Sequence, residues 1–337
     1  MTRIRSVACT GAILAAIACP AHADDLGFDW VTIGDPGNRG ATYDEAFANE
    51  GRGSVAYTYR LSRTEVTVSQ HLAFLQAIEP FVDSWDDGVR NRREWFGHRI
   101  GASNGTGELY AASGWENTGT TMSFYTAARF CNWLHNGQVN EAWAFESGAY
   151  DISTFGQVGP DGQPIDQLTH SEGARFWIPN LDEWIKGMYW DPTKDGEGGY
   201  WLYPHMSNDP PIPGAPGEPG AQTSAGMIPI NDPKAYFPVD VGSYPDAASY
   251  WGLLDGSGGV TEMLEADATD FPGYIRVAGS DRDPIPFATN SDRLYSVGWD
   301  VGPDSWLYGF RLATTAPVPG AGLILAVGLC FTTARRR

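Results

Sequence analysis

Glycine and proline punctuate this chain from end to end. With 41 Gly and 23 Pro scattered through 337 residues, elements must be short and joined by turns, because Pro ends helices and interrupts sheet ladders while Gly weakens both. Between Asp24 and Ala316 there is no linker, heptad or internal repeat, so one domain is expected. The chain is still 42% hydrophobic and 13% aromatic, with 13 Trp, which excludes a disordered polymer. A few helices, short strands and much ordered loop point to an α+β fold in which aromatic rings fill the gaps.

The two ends read as addresses. Residues 1–23 open with Arg3 and Arg5, run apolar from Val7 to Ala18 and close on Ala21-His22-Ala23, the layout of a secretory signal. At the other end Pro317-Val318-Pro319 precedes an apolar run from Ala321 to Phe331 and then Arg335-Arg336-Arg337. A helix over 320–334 covers roughly 22 Å, short of the roughly 30 Å hydrocarbon core, so this tail (317–337) is expected to contact a membrane transiently. Its layout resembles the PEP-CTERM sorting tails of Gram-negative bacteria, with Val318 where the namesake pattern has Glu. The resemblance implies export to the cell surface, outer envelope or extracellular matrix, and an exosortase-type protease as a partner.

Removing both ends takes five arginines and no acid from the 22 basic and 41 acidic residues, leaving 17 against 41 and a net charge of −24 on residues 24–316. Such a body repels phosphate backbones, which excludes nucleic acid, and favours cations. Cys9, Cys19 and Cys330 leave with the ends, so the body keeps Cys131 alone and an intrachain disulfide is impossible.

Three helices are legible from their caps. Thr67 with Gln70 forms a capping box before Leu72, Leu75 and Ile78, and Pro80 ends that helix. Ser123 caps a second with Phe124, Ala127, Ala128, Cys131 and Leu134 on one face, stopped by Asn136-Gly137. Asn180 with Glu183 caps a third carrying Trp184, Ile185 and Met188. Strands are expected over 54–61, 177–178 and 275–277.

Six segments then share an order with one family. Trp30 to Asn38 reads as an opening strand and loop, and Tyr57 to Thr67 leads through Glu65-Val66-Thr67 into the first helix. Ala127 to Asn136 lies on the second helix, and Arg175 to Trp184 enters the third. Tyr250 to Met263 follows Val241-Gly242-Ser243-Tyr244, and Gly309-Phe310-Arg311-Leu312-Ala313 closes the set. Together they resemble the formylglycine-generating enzyme or sulfatase-modifying-factor domain, which implies a single loop-rich C-type-lectin-like α+β domain over 24–316 with few helices and short antiparallel strands. The resemblance further implies a structural Ca²⁺ on Asp255, Gly258, Val260 and Glu262, whose hard oxygens suit that ion. Gly259, Thr261 and Met263 depart from the family's Asn and two Trp there.

The family's activity needs two cysteines between the segment matching Ile275 to Ser280 and the closing Gly309-Phe310-Arg311, where they hold Cu(I). From Arg276 to Arg311 this chain has no cysteine, and Cys131 falls on an apolar helix face where a thiol behaves as a small hydrophobe. No copper is expected. The resemblance therefore implies a secreted, non-catalytic binding or envelope-associated module, its ligand an extracellular glycan or an exported protein. The alternative is an enzyme of the same family, an oxidoreductase or transferase, using a non-cysteine site, for which Arg276, Asp281, Arg282, Asp283 and Arg293 are the candidate groups.

Other motifs are weaker. Asp255-Gly256-Ser257-Gly258-Gly259 looks superficially like a serine-protease nucleophile loop with Asp and Gly interchanged. His71, His98, His135, His170 and His205 form no metal-ligand spacing and read as structural or surface residues. Asp86-Asp87 and Asp182-Glu183 are acidic pairs that composition alone predicts. Asn104-Gly105-Thr106 matches a glycosylation sequon.

Overall fold

The three capping signals start three helices where the spacing places them. In the computed structural model, which describes residues 26–86, 91–102, 108–227, 238–267, 271–281 and 292–316, the elements follow in order as β1 (Trp30–Ile33), α1 (Tyr43–Ala46), β2 (Tyr59–Ser62), α2 (Val68–Ile78), α3 (Arg92–Phe96), β3 (Ile100–Ala102), β4 (Leu109–Ala111), α4 (Phe124–His135), α5 (Trp143–Glu146), β5 (Phe176–Trp177), α6 (Leu181–Tyr189), β6 (Trp190–Asp191), β7 (Gly199–Tyr200), β8 (Glu262–Leu264), β9 (Ile275–Ala278), β10 (Trp299–Val301) and β11 (Ala313–Thr315). The signal segment, the sorting tail, the sequon, Asp87, Arg282 and Asp283 lie outside the described residues.

Thr67 and Gln70 close the capping box of α2, Ser123 accepts from Thr126 N at the start of α4, and Asn180 with Glu183 closes the box of α6. Each satisfies amide donors that a helix start otherwise leaves unpaired. The buried face of α2 is Val68, His71, Phe74, Leu75 and Ile78, with Leu72 only partly buried. The expected stripe of Leu72, Leu75 and Ile78 is therefore rotated toward the aromatic core.

Strands are short and their pairings antiparallel. Four form one sheet in the order β1-β2-β11-β5, and three form another, β10-β9-β8; β3-β4 and β6-β7 are two-stranded. This is an α+β architecture of few helices and small antiparallel sheets.

One expected strand is shortened, and the closing segment Gly309 to Ala313 is divided. The run 54–61 is strand only from Tyr59, because the stretch before it bonds to the loop 37–41: Gly37 N donates to Val55 O (2.8 Å), Ala41 N to Arg52 O (2.8 Å) and Val55 N to the Asn38 side chain (3.1 Å). The closing strand begins at Ala313 rather than Gly309, because the preceding residues divide between two sheets. Gly309 exchanges backbone bonds with Thr261 and Met263, whereas Phe310 O and Leu312 O accept from Val66 N and Ser62 N. That crossing ties the three-stranded sheet to the four-stranded one.

The core is aromatic. Phe74, Phe130, Trp133, Phe145 and Phe310 pack at centroid distances of 5.2–6.3 Å, edge-to-face or tilted except for the stacked Trp133–Phe145 pair, geometries favoured by the ring quadrupoles. Beside them Asn132, fully buried, donates to Phe145 O (3.2 Å) and Tyr150 O (2.9 Å) and accepts from Tyr150 N (2.7 Å). This one amide fastens the segment 145–150 to α4. Asn132→Ala strands three buried backbone groups and is expected to cost about 3 kcal/mol of unfolding free energy, measured by denaturant titration; a near-neutral result contradicts the role.

Candidate functional site

Arg311 has no exposed surface. Its Nε and Nη2 grip Glu262 in a bidentate pair (2.7 and 2.6 Å), Nη2 also reaches Leu254 O (3.1 Å), and Nη1 donates to Ser62 O (3.2 Å) and Arg63 O (3.1 Å). Trp184 Nε1 completes the Glu262 carboxylate (3.1 Å). The closing segment, β8, α6 and the loops at 62–63 and 254 thus converge on one guanidinium, satisfied as a buried ion must be.

Next to this pair lies an acid cluster. Glu65, 1% exposed, accepts from Val260 N at Oε1 (3.1 Å), hydrogen-bonds Asp255, and finds no protein donor for Oε2. Asp255 accepts from Gly242 N (2.7 Å). Burial and the charges of Asp255 and Glu262 push the Glu65 pKa well above the carboxylate range, and burial raises Asp255 to about 6. An Oε2 without a donor fits a buried carboxyl whose protonated form is favoured beside a second carboxylate.

The turn above is built for this contact. Asp255, Gly258 and Gly259 are left-handed, at φ 58°, 80° and 73°, and a Cβ on Gly259 would overlap Glu65 Oε1. Glycine at 259 is thereby explained: Glu65 occupies the space a side chain would need. Gly259→Ala is expected to lose more than about 1 kcal/mol of stability, with the loss read as a lower denaturation midpoint.

Of the residues implied for calcium, Asp255, Gly258 and Val260 share this turn over Glu65. Glu262 is bonded instead to Arg311 and Trp184. The sequence offered one clue to Glu65, an acidic residue between the apolar strand β2 and the helix cap at Thr67; its burial was not legible there.

On the outer side of the same turn opens a groove of about 700 Å³, within the size of ordinary ligand sites. Gly259, Val260 and Thr261 line it together with Trp115, Trp299 and Tyr308, and its polar groups are His98, Arg99, Thr121 and Asp281. Arg99, 7% exposed, stacks over Trp115 at 4.8 Å and donates to Gly119 O. His98 lies 4.6 Å from the Trp306 ring and contacts Thr121 Oγ1 (3.2 Å). Trp299 and Tyr308 hydrogen-bond each other. No sequence signal singled out His98, Arg99 or Trp115, because distant segments bring them together.

Of the five polar candidates, Asp281 lines the groove. Arg276 pairs with Asp300 (3.2 Å), and Arg293 stacks over Tyr295 at 5.2 Å, so the described candidates do not converge. Ser257 Oγ donates to Asp292 Oδ2 (2.5 Å), a buried carboxyl that burial raises to about 7. The flanking cavities that Ser257 lines are each about 10 Å³, too small for a substrate. Glu183 is consumed by the α6 cap, Trp177 and Tyr57. Burial lowers the His71 pKa to about 3, and His170 pairs with Glu265 (3.0 Å). Cys131 is buried on α4 and burial raises its pKa. Among the described residues no cluster of three His, Cys, Asp or Glu is arranged around a metal position.

No family model matches the chain, and neither does a curated protein. Solved structures similar to it include CarF (16% identity over 87% of this chain and 100% of that one, TM-score 0.49), Treponema denticola variable protein 1 (14%, 86% and 95%, 0.48) and PvdO from Pseudomonas aeruginosa (15%, 85% and 94%, 0.44). The structure is that of a loop-rich α+β protein with an aromatic and polar groove set over a buried acid cluster.

Glu65, Asp255 and Asp292 all bind their protons more tightly in the folded chain than in the unfolded one, where carboxylates titrate near about 4. The folded state therefore holds more protons as pH rises from that value through about 7, and stability falls across the window. Between pH 5 and 8, without divalent cations, unfolding free energy is expected to drop by at least about 2 kcal/mol. Glu65→Gln with Asp292→Asn should flatten the dependence.

Proposed function

We propose that this chain is an exported, catalytically silent protein of the formylglycine-generating-enzyme type, a C-type-lectin-like module that holds its ligand in the groove between Trp115 and Tyr308. The observation that supports it is a groove of about 700 Å³ with an aromatic and polar lining, beside a segment Arg276 to Arg311 without cysteine. The family's chemistry needs a thiolate pair to hold the soft copper ion. The single body thiol, Cys131, is buried in the core and cannot serve. The ligand is an extracellular glycan or another exported protein, reached after the signal and sorting tail have directed the chain to the envelope.

Calcium is a part of this reading. Asp255 and Glu65 would hold it with the main-chain carbonyls of Gly258 and Val260, the ion replacing the protons that burial favours there. Two facing buried carboxyls and an Oε2 without a donor fit a hard cation with oxygen ligands once both are deprotonated. Its role there would be to fix the turn that floors the groove.

Two experiments follow. Protein incubated with a cysteine-containing sulfatase peptide, Cu(I) and oxygen is expected to yield no formylglycine by mass spectrometry; turnover contradicts the proposal. Millimolar calcium is expected to raise Tm at pH 8 but little at pH 5, where it competes with the bound proton, and Glu65→Gln should remove the effect. A calcium-independent Tm at both pH values rejects the metal site.

A further inference from the structure

A second cavity is lined by charges of both signs that do not pair. Every residue of α4 from Phe124 to Leu134 is buried except Arg129. That side chain lines a cavity of about 310 Å³ between α3, α4, α5 and the turn that follows α2, at the lower end of the range for ligand sites. Its guanidinium rests against the rings of Trp95 (5.7 Å) and Phe155 (5.9 Å), and among the described residues its one hydrogen bond is a long contact from Nη1 to Tyr125 O (3.4 Å). Most of its donors are therefore unspent on the protein. Asp83 and Glu146 line the same cavity from exposed positions, yet among the described residues neither closes an ion pair with Arg129. The remaining wall is apolar, with Trp95, Ile78 and the pair Phe81 and Phe145, whose ring centroids lie 5.8 Å apart.

We propose that this cavity binds a free α-amino acid with an apolar side chain: the carboxylate on the Arg129 fork, the ammonium at Asp83 and Glu146, and the side chain among Phe81, Phe145 and Trp95. An arginine beside two carboxylates in a strongly acidic body would ordinarily turn onto one of them. Stacking between two rings holds this one where it is, with its charge intact and its planar fork free for a carboxylate. Opposite charges kept apart across one small cavity leave a gap that a zwitterion fills. Other ligand classes leave part of the lining unmatched. A hydrocarbon meets neither charge, an apolar carboxylate answers Arg129 but not the two acids, an apolar amine does the reverse, and the interior of a peptide carries neither an ammonium nor a carboxylate on its backbone.

The cavity shares no residue with the groove or with the Glu65 and Asp255 cluster, so this proposal stands or falls independently of the function proposed above. Its two polar ends differ in strength. The carboxylate end is a half-buried fork against rings, whereas the ammonium end meets exposed, solvated acids that contribute less.

The test is calorimetric titration of the full chain with L-phenylalanine, with hydrocinnamate, which lacks the ammonium, and with phenethylamine, which lacks the carboxylate. Phenylalanine is expected to bind roughly ten-fold more tightly than phenethylamine, the factor that one charge-assisted hydrogen bond implies, and roughly three-fold more tightly than hydrocinnamate, as an exposed ion pair implies. Arg129→Gln is expected to weaken phenylalanine and hydrocinnamate by roughly ten-fold and to leave phenethylamine unchanged. Asp83→Asn with Glu146→Gln, two exposed changes that leave folding intact, is expected to weaken phenylalanine and phenethylamine by roughly three-fold without weakening hydrocinnamate. Phenylalanine binding no tighter than hydrocinnamate overturns the zwitterion, and binding no tighter than phenethylamine overturns the role of Arg129. Equal loss of all three ligands in Arg129→Gln makes that residue structural and overturns the proposal, as does the absence of heat from every ligand at millimolar concentration.

Discussion

The bidentate pair between Arg311 and Glu262 is the constraint on which the rest depends. A guanidinium without exposed surface must spend every donor, and the carbonyls of Ser62, Arg63 and Leu254 with the two Glu262 oxygens provide those acceptors. Because these acceptors come from three separate stretches of chain and Trp184 of α6 also donates to Glu262, satisfying one ion fixes the relative placement of both main sheets, α6 and the loop leading into residues 255–260. Such pairs add little net stability compared with apolar packing, but removing one partner leaves an uncompensated buried charge. The pair therefore acts as a lock on arrangement.

What the lock arranges is a thin partition. On its inner side, Glu65 faces Asp255 in a closed space, both carboxyls pushed up by burial; on its outer side, Val260 and Thr261 line the groove. Gly259 separates the two with its backbone alone. The protonation of this acid cluster is thereby linked to the shape of the groove floor. The groove itself is finished by segments from three other parts of the chain: Arg99 from the start of the β3-β4 hairpin, Asp281 from the end of β9, and Trp299 with Tyr308 from the closing region.

The helices were legible because their signals are local: Thr67 with Gln70, Ser123, and Asn180 with Glu183 each cap within three residues. The ordered resemblance also placed Arg311 and Glu262 in their motifs. What could not be read was partnership across the chain. Nothing local reveals that Arg311 would claim Glu262, which the resemblance assigned to calcium, or that Glu65 would stand opposite Asp255. The strand over 54–58 failed because Asn38, a side chain some sixteen residues earlier, supplies a competing acceptor. His98 and Arg99 carried no motif at all, and their meaning comes from Trp306 and Trp115, which tertiary packing brings beneath them.

The most direct measurement of this account is the unfolding free energy of Glu262→Gln, an isosteric change that neutralises one partner and leaves Arg311 buried. The account predicts a loss of at least about 3 kcal/mol in denaturant titration. A loss below about 1 kcal/mol would contradict the claim that this ion pair holds the two sheets and the groove floor together.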